Sequence, residues 1–172
     1  MIAFHAILLG SVVGLAATSF VRGRAQQIRR TGGFELPCGA DTAFPFFSPE
    51  GEREWVKGWN PTPVFPDTIE FRRDTVFREG APGEEAVWTI VEAHGETHRA
   101  EYVRVAAGSH AARIVVQIEP VGAECCKVVV AYTITAFGEK PESLMAAFSE
   151  EAYAAKMRGW QEQIRACLKN RK

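Results

Sequence analysis

The sequence predicts a single α+β domain in which a curved antiparallel sheet wraps around a long C-terminal helix. Five β-rich runs follow one another between residues 75 and 137 and are separated only by short turns. Connections this short join antiparallel neighbours, because a parallel crossover needs a dozen or more residues. Two short helix-forming segments precede these runs, and one long amphipathic stretch follows them. A chain of 172 residues is long enough to bury one substantial core.

The chain begins with an apolar run, residues 2–21, that contains no Asp, Glu, Lys or Arg. A run of this length can span a bilayer, and the arginines that follow it would hold the C-terminal side in the cytoplasm. We therefore divide the chain into an apolar segment, residues 1–27, and a domain, residues 28–172. Two interpretations stay open: the run anchors a cytoplasmic domain to the inner membrane, or it reflects an early start codon or packs on the domain.

The segment after the apolar run predicts a strand and two short helices. Residues 28–36 form the strand, which Pro37 ends, and residues 41–47 form a brief helix. Ser48 followed by Pro49 is typical of a helix start, with Ser as the N-cap and Pro at the first helical position. The prolines between residues 61 and 66 exclude a central strand there, since proline cannot donate to a sheet ladder.

The remaining strands are the runs Thr75–Arg78, Ala86–Ala93, His98–Val105, Ala111–Val121 and Cys125–Phe137. Alternation of polar and apolar residues places one set of apolar side chains on the inward face of the last two strands. That set is Ile114, Val116, Ile118, Val128, Val130, Tyr132 and Ile134.

The last stretch, Pro141 to Lys169, predicts one long helix. Pro141 suits the first turn, and the apolar side chains recur at helical spacing. Ala146, Tyr153, Met157, Trp160, Ile164 and Leu168 form that stripe. A stripe this broad has to lie on an apolar surface, and the sheet supplies one.

A bent sheet that closes on a helix leaves room between them. The bulky residues expected to line a cavity are Trp88, Ile90, Tyr102, Val130, Tyr132, Tyr153, Met157 and Trp160. An aromatic pocket with a few polar groups is the usual form of a small-molecule site, here for an apolar molecule or a lipid. The alternative is that the same side chains fill a solid core.

Composition excludes several other classes of function. The net charge of −1 gives no electrostatic footprint for nucleic acid. The four cysteines have neither zinc nor redox spacing, which favours free thiols in a reducing, cytoplasmic compartment; the alternative is a disulfide pairing. No phosphate-binding loop or nucleophile elbow occurs, so the sequence predicts no cofactor. His94, Glu96 and His98 have alternate spacing, but Gly95 marks a hairpin tip, so we predict no metal site.

The order of these elements resembles the START and birch-pollen-allergen-like superfamily, often called SRPBCC, which has the helix-grip fold. The resemblance rests on residues 46–59, 87–89, 102–105, 130–136 and 157–160, taken together and in this order. It implies an apolar cavity between the sheet and the C-terminal helix. Bacterial members include polyketide cyclase/dehydrase-like and lipid-transfer-like proteins, so the resemblance does not imply one chemistry.

Three side chains are candidates for chemistry in that cavity. Tyr102 and Arg104 share a face of their strand, and Glu92 shares a face with Trp88 and Ile90 on the strand before it. If both faces point inward, an Arg104–Glu92 pair beside Tyr102 could polarise a ligand carbonyl. The alternative is a structural ion pair.

Three functions are therefore open: binding of an apolar molecule or lipid, a cyclase/dehydrase-like enzyme, and a protein-interaction module. The last would resemble the heat-shock ATPase activators of the superfamily. The cavity discriminates between them. A sealed core favours the interaction module, an apolar cavity favours binding, and inward charges around a cavity favour the enzyme.

Overall fold

The computed structural model describes residues 25–138 and 141–171. In chain order the elements are β1 (Gln26–Leu36), α1 (Ala40–Ala43), a 3-10 turn (Phe44–Phe47), α2 (Pro49–Glu52), β2 (Thr62–Phe65), β3 (Val76–Glu79), β4 (Ala86–His94), β5 (Arg99–Ala106), β6 (His110–Gly122), β7 (Cys125–Ala136), α3 (Pro141–Ala147) and α4 (Glu150–Asn170). The predicted membrane anchor, residues 2–21, lies outside the described part of the chain. Among the helices that are described, none is long and apolar enough to cross a bilayer.

The strands form one curved seven-stranded sheet with the order β1-β7-β6-β5-β4-β3-β2. Every neighbouring pair is antiparallel, as the short turns predicted. β2 carries the proline-rich segment and lies at one edge of the sheet with all of its residues exposed. Prolines are tolerated at the edge of a sheet, because an edge strand forms backbone hydrogen bonds with a neighbour on one side only.

Alternation along the central strands sorts side chains between two faces, and the predicted inward set is confirmed. In β7 the burial alternates along the whole strand, and in β6 it alternates as far as Ile118. The outer face of the same strands carries the polar residues. Burying one face of a long antiparallel sheet requires a second layer, and the helices supply it.

The single helix predicted from Pro141 to Lys169 is instead two helices. α3 ends at Ala147, and α4 begins at Glu150 after Ser149, whose side chain accepts a hydrogen bond from the backbone N–H of Ala152. Ser149 is the N-cap of α4, and two glutamates occupy the first turn, where the helix dipole favours negative charge. The N-cap residue Ser149 therefore accounts for the break between the two helices.

Helix α4 rests on β1 at a glycine. A Cβ atom on Gly32 would lie 3.0 Å from Cε1 of Tyr153 and 3.1 Å from Cγ of Met157. The Tyr153 hydroxyl donates a hydrogen bond of 2.8 Å to the carbonyl oxygen of Val130 on β7. Gly32 thus lets two large side chains of the helix approach the sheet backbone closely.

The short helices close one end of the layer between sheet and α4. Ser48 caps α2 as predicted, accepting a hydrogen bond from the backbone N–H of Gly51. Trp55 follows α2, is buried, and donates from its indole Nε1 to the carbonyl oxygen of Phe46 at 2.8 Å. Its ring packs edge-on against Trp160 of α4, with 5.2 Å between ring centroids. These contacts place α2 beside the middle of α4.

Replacing Gly32 by valine tests the contact between α4 and β1. The new side chain would collide with Tyr153 and Met157, so we expect a loss of about 2 kcal/mol in the free energy of unfolding, measured by urea denaturation. Thr31→Val is the matched control, because Thr31 is exposed on the other face of the strand. The control should change stability by less than about 0.5 kcal/mol. Equal stability of the Gly32 variant and the wild type would contradict this description of the contact.

Candidate functional site

A cavity of about 390 Å³ lies between the inner face of the sheet and the helices. Its wall is mainly aromatic and aliphatic. The lining residues are Phe47, Pro49, Glu52, Val56, Trp59, Phe77, Trp88, Tyr102, Arg104, His110, Ala112, Ile114, Val116, Tyr132, Ile134, Leu144, Phe148, Lys156 and Trp160. The volume is in the range that holds one small organic molecule.

The sheet register explains where the space comes from. One row of inward residues crosses the sheet from Phe77 through Trp88, Arg104 and Ala112 to Ile134. Phe77 and Trp88 stack with 5.8 Å between ring centroids. Next to these large side chains, Ala112 contributes only a methyl group. Helix α4 lies over β1, at one edge of the sheet, whereas Ala112 is on β6, two strands away. The helix therefore does not fill the volume above Ala112.

Four of the side chains predicted to line a cavity do so: Trp88, Tyr102, Tyr132 and Trp160. The other four, Ile90, Val130, Tyr153 and Met157, are buried outside its lining. Tyr153 and Met157 are the residues that rest on Gly32, and Val130 lies beneath the Tyr153 hydroxyl. Periodicity alone cannot separate residues that face the cavity from residues that join helix to sheet, because both are apolar and point inward.

Arg104 lines the cavity, but its partners are not the predicted ones. Its guanidinium carbon lies 5.5 Å from the centroid of the Trp88 ring, and its Nη1 lies 2.6 Å from Nε2 of His110. An arginine can only donate, so Nε2 of His110 accepts and the ring proton lies on Nδ1. Nδ1 is 2.9 Å from Oγ of Ser109. Burial lowers the pKa of His110, and the nearby Arg104 lowers it further, so the imidazole is neutral.

The predicted Arg104–Glu92 pair does not form, because Arg104 lies opposite Trp88, four residues before Glu92, and a bulge interrupts the register between Ile90 and Glu92. The extra residue turns Glu92 onto the outer face, opposite Glu101. There Arg99 bonds both carboxylates at 3.0 Å. Glu92 thus belongs to an ion-pair cluster outside the cavity, and that placement corrects its selection as a site residue.

Tyr102 faces the cavity, yet its hydroxyl is already bonded. It donates to the carbonyl oxygen of Phe47 at 2.5 Å, tying β5 to the 3-10 turn. Burial raises the pKa of Tyr102 well above its usual value, with a further contribution from Glu52. The hydroxyl therefore keeps its proton, and only its oxygen lone pairs are free to accept from a ligand.

Lys156 of α4 enters the cavity among three aromatic rings. Its Nζ lies 4.6 Å from the ring centroid of Tyr132, 5.2 Å from that of Trp160 and 5.6 Å from that of Phe148. The same atom is 3.5 Å from the Tyr132 hydroxyl. Burial lowers the pKa of Lys156, while Glu52 raises it and Arg104 lowers it. The rings favour the charged form, because an ammonium is attracted to aromatic faces.

Glu52, at the end of α2, supplies a carboxyl group to the same wall. Burial raises the pKa of Glu52 to about 8, although Lys156 lowers it. The side chain of Glu52 is half-buried and lines the cavity. The carboxyl group is therefore mostly protonated at neutral pH, and it can act as a hydrogen-bond donor or as a general acid.

Glu52 and Lys156 were not predicted as site residues, although each had a local signal. Glu52 precedes Trp55 and Val56 by three and four residues, the spacing that places side chains on one helix face. Lys156 lies three residues after Tyr153 and four before Trp160. Helical spacing from buried aromatics would have placed them at the edge of the apolar stripe.

Within the described residues, no group of three or more His, Cys, Asp or Glu side chains is placed to hold a metal ion. His98, one of the three residues with alternate spacing, instead lies with its Nε2 at 2.7 Å from a carboxylate oxygen of Asp41. This contact joins the β4–β5 turn to α1. Apart from tyrosine and tryptophan, the described lining residues with polar side chains are Glu52, Arg104, His110 and Lys156.

Replacing Glu52 by glutamine tests the burial of its carboxyl group. The folded state holds the Glu52 proton up to about pH 8, whereas the unfolded chain releases it near 4.5. Between these values folding takes up a proton, so the wild type loses stability relative to the variant as pH rises. We expect the stability advantage of Glu52→Gln to grow by about 1 to 3 kcal/mol and to level off above pH 8, allowing for water in the cavity.

The measurement is urea unfolding at several pH values, with Glu50→Gln as the control. Glu50 lies on the same helix and is exposed, with an ion pair to Arg53 at 2.9 Å. For the control, the difference from wild type should stay nearly constant with pH. A constant difference for Glu52→Gln as well would show that the carboxyl group is solvated.

Comparison with known proteins identifies the fold. No protein-family model matches the chain, and no curated protein sequence matches it. Solved structures do match. A norcoclaurine synthase point mutant from Thalictrum flavum, in complex with a transition-state analogue, superposes with a TM-score of 0.61 at 11% identity, covering 88% of this chain and 100% of that one. Ara h 8.0201 superposes with a TM-score of 0.60 at 13% identity, covering 84% of this chain and 99% of that one.

A third similar structure is the di-domain ARO/CYC protein BexL from the BE-7585A biosynthetic pathway. It gives a TM-score of 0.57 at 16% identity, covering 80% of this chain and 46% of BexL. At identities this low the likeness concerns the fold, and function has to be argued from the site. The topology, the two short helices after β1 and the long C-terminal helix agree with the fold that the sequence resemblance implied. The chain therefore has the helix-grip fold of the START and birch-pollen-allergen-like (SRPBCC) proteins.

Proposed function

We propose that this protein binds one apolar small molecule, or the acyl chain of a lipid, in the cavity between the sheet and α4. The observation that carries the proposal is an aromatic-lined space of about 390 Å³ between the sheet and the helices. Protein interiors are close-packed, and every unfilled volume of this size gives up dispersion contacts and stability. A guest that fills the space recovers both.

The wall chemistry supports a guest with a largely apolar body. Rings of Trp59, Phe77 and Trp88 meet at the β3–β4 side of the cavity, where Trp59 packs edge-on against the other two. At the opposite side the rings of Tyr132 and Phe148 lie 6.0 Å apart. Aromatic faces and edges on several sides suit a flat or flexible apolar molecule, which gains from both burial and ring contacts.

The structural neighbours support the same class of guest. A norcoclaurine synthase structure from Thalictrum flavum is described in complex with dopamine and hydroxybenzaldehyde, which are small aromatic molecules. That protein shares 13% identity with this chain, so the comparison supports a ligand-binding use of the fold and no particular ligand. The cavity also favours ligand binding over the protein-interaction alternative, which would be supported by a filled interior.

A second candidate function is a cyclase/dehydrase-like reaction, and the observation that favours it is the presence of inward polar groups. Glu52, protonated at neutral pH, can give a proton to a leaving hydroxyl group, and Arg104 can stabilise the oxygen of a ligand carbonyl. Loss of water from a β-hydroxy carbonyl compound needs these two roles and a base that takes the proton from the α-carbon. The neutral imidazole of His110, on the cavity wall, is the candidate for that base. One of the structural neighbours, BexL, is described as an ARO/CYC protein.

Replacing Ala112 by leucine tests the binding proposal. Ala112 is buried in the cavity wall, so a longer side chain occupies space that the guest would use. We expect phenylnaphthylamine, a neutral apolar fluorescent probe, to bind the wild type, and the Ala112 variant to bind it at least tenfold more weakly, a change of about 1.4 kcal/mol. Fluorescence titration measures both affinities.

The matched control is Ala111→Leu. Ala111 is the neighbouring residue on β6 and pairs with Val105 on the outer face of the sheet. The Ala111→Leu variant should bind the probe with the affinity of the wild type. Circular dichroism verifies that both variants are folded. Equal probe affinity in all three proteins, or no binding by the wild type, would overturn the cavity as a binding site.

The reaction is tested with a synthetic β-hydroxy thioester that carries an aromatic ring. If the second candidate is correct, mass spectrometry should detect loss of one water molecule in the presence of the protein. The rate should fall at least a hundredfold in Glu52→Gln, the lower end of what a general acid contributes. Glu50→Gln should react like the wild type. An absence of turnover, or equal rates in the two variants, would leave binding without chemistry.

A further inference from the structure

Two cationic side chains converge on the cavity without an anionic partner among the described residues. Arg104 contacts the neutral imidazole of His110 at 2.6 Å, and Lys156 contacts the Tyr132 hydroxyl at 3.5 Å. Neither of them forms an ion pair with an Asp or Glu in the described ranges. Both side chains are partly buried, and a partly buried cation that lacks a counter-charge costs the folded state free energy, so its presence needs an explanation.

The two cations lie on different layers of the domain and approach the cavity from opposite sides. Arg104 projects from β5 in the row that contains Trp88 and Ala112. Lys156 projects from α4, and its three surrounding rings hold the ammonium at the cavity wall. Ala112, which pairs with Arg104 across the sheet, has a small side chain and leaves the space beside Arg104 open.

The remaining polar groups of the wall are also mainly donors. The indole Nε1 of Trp88 is buried and has no hydrogen-bond partner within the described part of the chain. Glu52 is the one carboxyl group among the described lining residues, and burial raises its pKa to about 8, so it is mostly protonated at neutral pH. Guanidinium, ammonium and carboxylic acid groups can all donate to a guest in the cavity. Acceptor oxygens on that guest would satisfy them.

We infer that the guest of this cavity is an apolar anion, with a ring-containing or aliphatic body against the aromatic wall and an acidic oxygen group, of the carboxylate class, held between Arg104 and Lys156. The inference rests on the proposed binding function and adds the charge of the ligand. An anion in this position neutralises both cations with charge-assisted hydrogen bonds, which are stronger inside an apolar cavity than in water.

A pair of fluorescent probes separates charge from apolar shape. Anilinonaphthalene sulfonate and phenylnaphthylamine have the same ring system and differ in the sulfonate group. For the wild type, fluorescence titration should give at least tenfold tighter binding of the sulfonate probe. In Lys156→Met and in Arg104→Met the preference should fall at least tenfold, while affinity for the neutral probe should stay within about threefold.

Control variants keep the test specific to the cavity. Arg158→Met removes one positive charge from the exposed side of α4 and should leave the preference unchanged. Lys156→Arg keeps the charge and should retain most of the preference. Because variants that lose their fold can also bind the sulfonate probe, each variant is first checked by circular dichroism and by cooperative urea unfolding.

A measurement on the unmodified protein makes the same test without substitutions. Naphthoate should displace the sulfonate probe, and naphthoate methyl ester should compete at least tenfold less well. The inference is overturned if the ester and the acid compete equally, or if the probe preference is the same in all variants. In that case strong binding of the neutral probe would leave the proposed function standing. Failure of both probes to bind the wild type would overturn the proposed function and this inference together.

Discussion

The arrangement of the domain depends on one close contact, the approach of α4 to β1 at Gly32. Tyr153 and Met157 occupy the space that a side chain at this position would take, and the Tyr153 hydroxyl anchors the helix to the backbone of β7 at Val130. The helix is thereby held over one side of a sheet seven strands wide. A single helix is about 10 Å across, much narrower than such a sheet, so the far strands remain uncovered by it.

The elements that cover the strands farthest from β1 determine whether the interior there is filled or open. The 3-10 turn and the segments that follow α2 and α3 bridge the gap with Phe47, Trp59 and Phe148, and they are too short to fill it. The result is a lined space in place of a packed layer. Because side chains on β5, α2 and α4 all end in this space, charged groups that are distant in the sequence face one another there. Burial then shifts their proton affinities in the way that Glu52 and Lys156 illustrate.

The sequence was sufficient for the architecture and for part of the site. Alternation identified the inward faces of β6 and β7, since each residue's face follows from its parity. The same rule failed for Glu92, because the bulge adds one residue after Ile90 and moves Glu92 from the inner to the outer face of the sheet. No glycine or proline in the sequence marks the position of this bulge. The long-helix prediction overlooked Ser149, whose capping role was readable from the two glutamates that follow it.

Proton-bearing residues of the site were harder to predict than its aromatic wall. Three glutamates lie between residues 50 and 54, and only the placement of α2 against the sheet shows that Glu52 is the one turned inward. The choice depends on the angle at which a helix of four residues is docked. Contacts such as Trp55 against Trp160, more than a hundred residues apart in the chain, determine that angle.

Ala112 gives this fold a simple route to new specificity. The open volume beside it is bounded on that side by a single methyl group, at the centre of a sheet whose strand pairing does not depend on the side chain there. Successive substitutions of Ala112 by larger residues would therefore reduce, in small steps, the size of the largest molecule that the cavity accepts. The backbone architecture would be retained. Selectivity for size can evolve in this domain separately from the polar groups that orient a guest, since the two features reside in different residues.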